Sequence, residues 1–156
     1  MKKLTFLLLS ILISSYSLVK SQSVGSVNEE TVFLEKVLSE KVYFVNKQVD
    51  IGTLTWNPHP VFEGVFLKHL VTGKDTNNAL SCHIVKIEPS CILDTHLHDG
   101  KIEIHEVVGG SGMIYLDDKE ISYSTGRICI IPANTLHKVV AGKDGLYLFA
   151  KFTPAL

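Results

Sequence analysis

Thr95-His96-Leu97-His98-Asp99-Gly100-Lys101-Ile102-Glu103 is the stretch whose reading decides the fold. On a β-strand residues i and i+2 project from one face, so His96 and His98 point the same way. On a helix the same spacing would turn them about 200° apart. Two imidazoles side by side begin a transition-metal site. Asp99-Gly100 is a turn pair, after which the chain can reset its register and return the Glu103 carboxylate to the same interior. A fourth ligand has to come from elsewhere. His137 is available in Pro132-Ala133-Asn134-Thr135-Leu136-His137.

Period-two patterning extends outward from this stretch. Short runs at Tyr43–Val45, Val61–Leu67, Leu80–Ile87, Ile102–Val108, Met113–Leu116 and Leu146–Phe152 read as strands. Turn residues separate them: Asn57-Pro58, Glu88-Pro89-Ser90, Asp99-Gly100, Asp117-Asp118-Lys119 and Lys143-Asp144-Gly145. Many short strands at this spacing predict an all-β antiparallel sandwich or barrel. One helix is expected ahead of them, where Phe33, Leu34, Val37 and Leu38 recur at helical spacing between Glu29 and Ser39.

Taken together, these residues resemble the cupin superfamily. Its first motif runs from a small residue through His-x-His and Glu to Gly, and here reads Ser90, His96, His98, Glu103 and Gly110. Its second motif runs from Gly through Pro-x-Gly to His, and here reads Gly126, Pro132, Asn134 and His137. Ser90 and Asn134 stand where the family has Gly, and Asn is the side chain most tolerant of a left-handed backbone. Arg127 replaces the usual acidic residue, and Ala141 stands where a later Asn is common. The resemblance covers roughly residues 60–152. It implies a double-stranded β-helix, or jelly-roll barrel, holding one divalent transition metal (Fe, Mn, Ni or Zn) on His96, His98, Glu103 and His137. A barrel that keeps these residues without a metal is the alternative, as in some cupins. Buried imidazoles and a carboxylate without partners would then be costly.

Other side chains extend the reading. His105 lies two residues after Glu103 and shares its face on a regular strand. It is a candidate catalytic acid or base, or else a residue that hydrogen-bonds a core neighbour or faces solvent. His83, in phase with Val85 and Ile87, can point into the barrel and reads as hydrogen-bonding a core neighbour or facing solvent, and Glu106 as outward or at an interface. His59 and His69 read as surface residues. Tyr115, Tyr123, Tyr147, Phe149 and Phe152 read as barrel wall or dimer contact. Cys82, Cys91 and Cys129 lie in or beside strands, where buried thiols are ordinary, and an exported chain can bridge two of them.

The 156 residues suit one domain, and 46% hydrophobic content supports a packed core. Lys2, Lys3 and an apolar run from Leu4 to Ile13, followed by small residues, give residues 1–23 the layout of a secretory signal peptide. An uncleaved anchor is the competing reading, although the run is short of the roughly 20 residues that cross a bilayer. Residues 24–55 then form an N-terminal extension with the helix and a first strand, and 56–156 the barrel. The leader carries three Lys and no acid, so the exported chain has 12 basic against 16 acidic residues, a net −4. That balance gives no reason to expect nucleic acid, and cleavage leaves no stable membrane span.

The expected product is an exported metal-binding protein of the periplasm or medium, with a small-molecule ligand or substrate. The resemblance implies a small metalloenzyme of oxygenase, isomerase or lyase type acting on an oxygen-rich organic ligand. A non-catalytic, sugar-like-ligand-binding module is the alternative. Homodimer formation through exposed sheet edges is also implied.

Overall fold

Alternating side chains become ten strands, with one α-helix ahead of them, over residues 29–156, the part of the chain that the computed structural model describes. The leader expected over residues 1–23 lies outside the described residues. The elements are α1 (Glu29–Ser39), β1 (Lys41–Tyr43), β2 (Gln48–Asp50), β3 (Asn57–Pro58), β4 (Val65–Val71), β5 (Ser81–Ile87), β6 (Ile92–His96), β7 (Ile102–Leu116), β8 (Lys119–Ser124), β9 (Ile128–Ile131) and β10 (His137–Thr153). All strand pairs are antiparallel, and β1 and β2 form a separate ribbon. The other eight strands run β3-β4-β5-β10-β7-β8, with β6 on β10 and β9 on β7. This is the jelly-roll architecture expected from the sequence.

Two long strands organise the barrel. The first part of β10 pairs with β6 and with the end of β7, placing His137 opposite both His96 and Leu116. Its last part pairs with β5 and the start of β7, from Leu146↔Ile87 to Phe152↔Ser81 on one side. The two runs expected at Ile102–Val108 and Met113–Leu116 are therefore one strand. The turn expected at Lys143-Asp144-Gly145 is an irregularity inside β10. Both departures have one physical cause. Gly110 has φ +74°, and a Cβ there would lie 2.2 Å from the Gly145 carbonyl oxygen. With no side chain at the crossing, the strands bend past each other and stay hydrogen-bonded. Elsewhere the expected run at Val61–Leu67 begins as a turn and becomes strand only at Val65, and β1 ends at Tyr43, ahead of fully exposed Val45.

Because β5 is covered on both sides, its two faces enter different cores. Val85 and Ile87 join Leu93, Val107, Ile114, Ile131, Val139, Leu146 and Leu148 inside the barrel. Cys82 and Ile84 pack outside it with Ile51 and Leu70, against Val37 and Leu38 of the helix. Each side chain buried this completely contributes about 1.5–3 kcal/mol. The helix occupies the expected residues, and Leu34 sits directly on Gly109. Glu106 lies outward and pairs with Lys151 at 2.8 Å. Cys82, Cys91 and Cys129 are unbridged.

His83, 3% exposed, is a core histidine, the first of its two sequence readings. Its Nε2 meets Ser81 Oγ at 3.0 Å and its Nδ1 meets His69 Nδ1 at 2.9 Å. Burial first, and then the charge of His69, push its pKa from 6.5 down to about 4, although Glu103 pulls the other way. A folded-state value below the unfolded one means that the unfolded chain binds the proton first. Stability from a neutral His83 is therefore fully present above pH 6.5 and lost as pH falls through about 4.

Two predictions follow from packing and burial. Gly110→Ala lowers the urea midpoint by about 2–4 kcal/mol equivalent, since a clash adds to left-handed strain. Gly126→Ala, with φ +86° but nothing within 4 Å, costs only the conformational part, about 1 kcal/mol. Equal losses in the two variants contradict the close crossing. For His83, urea unfolding of metal-free protein between pH 4 and 7 is the check. His83→Gln flattens the acid-side loss of stability by up to about 1.4 kcal/mol per pH unit. Parallel curves for the variant and the parent contradict a neutral buried His83.

Candidate metal centre

The four sequence-predicted ligands meet at one end of the barrel. One ligand atom from each of His96, His98, Glu103 and His137 falls within 4.8 Å of the other three. His96 ends β6 and His98 lies just beyond it in the turn, while Glu103 begins β7 and His137 begins β10. The turn carrying His98 is tied to the turn before β10. Asn134 Oδ1 accepts from the Gly100 N–H at 3.0 Å, and the Asn134 N–H donates to the His98 carbonyl at 3.2 Å. Asn134 takes φ +64° and Ser90 φ +61°, so both replacements for Gly hold the left-handed backbone their positions require.

Backbone carbonyls fix two imidazoles in the ligating tautomer. His96 Nδ1–H donates to the Asp94 carbonyl at 2.7 Å, and His137 Nδ1–H to the Thr135 carbonyl at 3.0 Å. Each ring then turns an Nε2 lone pair toward its neighbours, as outer-shell acceptors do for metal-bound histidines. Burial first, and the charges of His137 and His98, push the His96 pKa down to about 4 against the pull of the Asp94 carbonyl. His96 is therefore neutral, and ready to ligate, at neutral pH.

Glu103 is the centre of the cluster. It is 3% exposed, and burial alone would raise its pKa. The charge and hydrogen bond of His105, with His137 and His98 beside it, outweigh burial and hold the carboxyl well below its usual range. Oε1 meets His105 Nε2 at 2.7 Å. Oε2 lies 3.2 Å from His98 Nε2 and 3.1 Å from His137 Nε2. Glu103 Oε2 and His137 Nε2 nevertheless lack hydrogen bonds, and both atoms are buried. With the His137 proton on Nδ1, these are two acceptors facing each other, an arrangement that requires a positive charge between them. A proton can supply it: the Glu103 contact and the Thr135 carbonyl overcome burial and raise the His137 pKa. A divalent cation satisfies both atoms together with His96 and His98. Three imidazoles and one carboxylate fit first-row metals without choosing among them.

His105 stands behind this cluster. It is 1% exposed, bonded to Glu103 on one side and to the Tyr123 hydroxyl at 3.0 Å on the other. A cavity of about 40 Å³ opens in front, bounded by His96, His98, Glu103, Phe152 and His59, and His105 is not on its wall. The sequence reading missed three participants. Tyr123, read as barrel wall, is the partner that orients His105. Phe152, also read as wall, packs its ring 4.9 Å from that of His98. His59, read as a surface residue, lines the cavity; the turn at residues 59–64 folds it inward, and no spacing signal in the sequence could have found it. His69 is exposed as expected, though it touches His83.

Comparison with known proteins agrees with the barrel fold. Residues 83–148 match the family model of the cupin domain. No curated protein sequence matches the chain. Among solved structures, KdgF from Halomonas sp. superposes with a TM-score of 0.60 at 22% identity, over 74% of this chain and 96% of that one. A predicted oxalate decarboxylase from Thermotoga maritima gives 0.61 at 21% identity, over 67% and 96%. An RmlC-like cupin from Shewanella frigidimarina gives 0.56 at 19% identity, over 65% and 86%. Identities this low speak for the fold. The match over residues 83–148 supports a cupin domain in that part of the chain, and the shared barrel supports the cupin fold.

Proposed function

We propose that this protein is an exported metal-binding cupin that acts as a small metalloenzyme on a small, oxygen-rich organic ligand, within the oxygenase, isomerase or lyase classes. The observation that carries the proposal is the buried, unsatisfied pair formed by Glu103 Oε2 and His137 Nε2 between His96 and His98. His96, His98, Glu103 and His137 would hold one divalent ion of iron, manganese, nickel or zinc. Such an ion supplies Lewis-acid polarisation of a ligand oxygen or a centre for oxygen chemistry. The protein's own part is to hold three imidazoles and one carboxylate in place, with buried His105 behind the carboxylate.

His105, expected as the catalytic acid or base, enters the proposal as a positioning residue. It touches Glu103 and Tyr123 and acts on the site through the carboxylate it holds. That same placement favours the second reading, a non-catalytic small-molecule-binding module, because the acid–base candidate does not reach the cavity. Export to the periplasm or medium rests on the leader pattern at residues 1–23. Assembly as a homodimer rests on the free sheet edges at β3 and β8. Among the described residues, no helix is long and apolar enough to cross a membrane.

Two measurements check the proposal. The His96→Ala, His98→Ala double variant loses metal retention, read by elemental analysis of purified protein. One metal per chain in that variant would place the site elsewhere. His105→Phe leaves all four ligands present but weakens metal affinity by about 10–100-fold, the usual cost of losing an outer-shell partner. His105→Gln, which keeps a donor, recovers much of that loss. Unchanged affinity in His105→Phe contradicts the positioning role.

A further inference from the structure

The cavity in front of the metal centre is walled mainly by apolar side chains, among them Val65, Leu67, Val85, Leu93 and Phe152. Its polar side chains are four in number. Three are ligands of the centre, His96, His98 and Glu103, and the fourth is His59.

Several contacts fix the His59 ring. The backbone N–H groups of Val61 and Phe62 both donate to Nδ1, each at 3.2 Å. The His59 backbone N–H donates to the Val65 carbonyl at 2.8 Å, which anchors the residue itself. The ring stacks on Phe62 with centroids 4.7 Å apart and planes 27° from parallel, and Phe62 in turn packs 5.7 Å from His96. Since Nδ1 accepts two hydrogen bonds, the neutral imidazole carries its proton on Nε2. Among the described residues that Nε2–H has no hydrogen-bond partner. Turning the ring over to reverse the two nitrogens would break both backbone hydrogen bonds.

We propose that His59 is the ligand-recognition residue of this cavity, donating from Nε2–H to an oxygen of a small organic carboxylate with a short apolar body. The proposal rests on the metal-binding reading above, and it adds the class of ligand and the residue that selects it. The chemistry of the wall supports it. Among the lining side chains only the Glu103 carboxylate balances a divalent cation, which leaves a net positive charge beside an N–H donor and favours an anionic oxygen, with Leu156 also bordering the cavity. A ligand bearing N–H or O–H groups would find no side-chain acceptor on the wall other than Glu103, and each unsatisfied donor would oppose binding. The volume of about 40 Å³ suits a body of a few heavy atoms.

The test is calorimetric titration of sodium acetate into manganese-loaded full-length protein at constant ionic strength. Wild type, His59→Phe and His59→Ala are compared, with manganese content measured in each sample beforehand. Both variants are expected to keep one manganese per chain and to bind acetate about tenfold more weakly, the effect of one lost charge-assisted hydrogen bond. Should the Phe variant fail to fold, the Ala variant is read in the same way. Equal acetate affinity in variant and wild type overturns the proposal, as does loaded wild type that binds no acetate. Wild type that holds no manganese sinks the metal-binding reading, and this inference with it. That failure is visible in the elemental analysis before any acetate is added.

Discussion

One buried carboxylate sets the terms for the functional end of this barrel. Glu103 meets His105 at 2.7 Å, His137 at 3.1 Å and His98 at 3.2 Å, with its own side chain buried. Taking an ionised carboxyl out of water costs several kcal/mol even after the protein relaxes. It is tolerated only where positive charge or strong donors are guaranteed. His105 provides one such partner permanently, because Tyr123 holds it from behind. The other face of the carboxylate is left to whatever cation, proton or metal, enters between Glu103 and His137.

The fold makes this arrangement reproducible. Strand β10 starts at His137 and pairs there with His96, so antiparallel register brings two of the ligands together. Strand β7 starts just before Glu103, and β9 covers its flank through the pair Glu103↔Ile131. Asn134 closes the remaining gap by joining the two turns that carry ligands. His59 and Phe62 form a short turn against His96, which puts His59 on the cavity wall. A metal-binding end of this kind needs little of the helix or the β1–β2 ribbon. Those elements cover the outer apolar face around Ile84 and Leu70 instead.

Much of this was legible in the residues. The spacing of His96, His98 and Glu103 with a turn between them, together with the resemblance that adds His137, pointed to the four side chains that meet at one end of the barrel. The helix at Glu29–Ser39 was legible because its apolar residues keep a 3.6-residue period. Strand continuity was less legible, since Gly109-Gly110 interrupts the apolar alternation and Lys143-Asp144-Gly145 looks like a turn locally. They are bends in long strands because the partner backbone passes close enough to bond across them. The inward placement of His59 was not legible at all. It depends on two backbone amides of its own turn and on Phe62, and none of these leaves a periodic signal. The role of Tyr123 was hidden for a similar reason: its parity gives burial, but only the pairing of β7 with β8 brings its hydroxyl to His105.

Anomalous diffraction from crystals grown with manganese or zinc tests the central claim most directly, because it locates the ion independently of any activity. The account predicts one anomalous peak per chain, at about 2.0–2.3 Å from Nε2 of His96, His98 and His137 and from a Glu103 carboxylate oxygen. A peak at other side chains, or none between Glu103 and His137 at saturating metal, would contradict it.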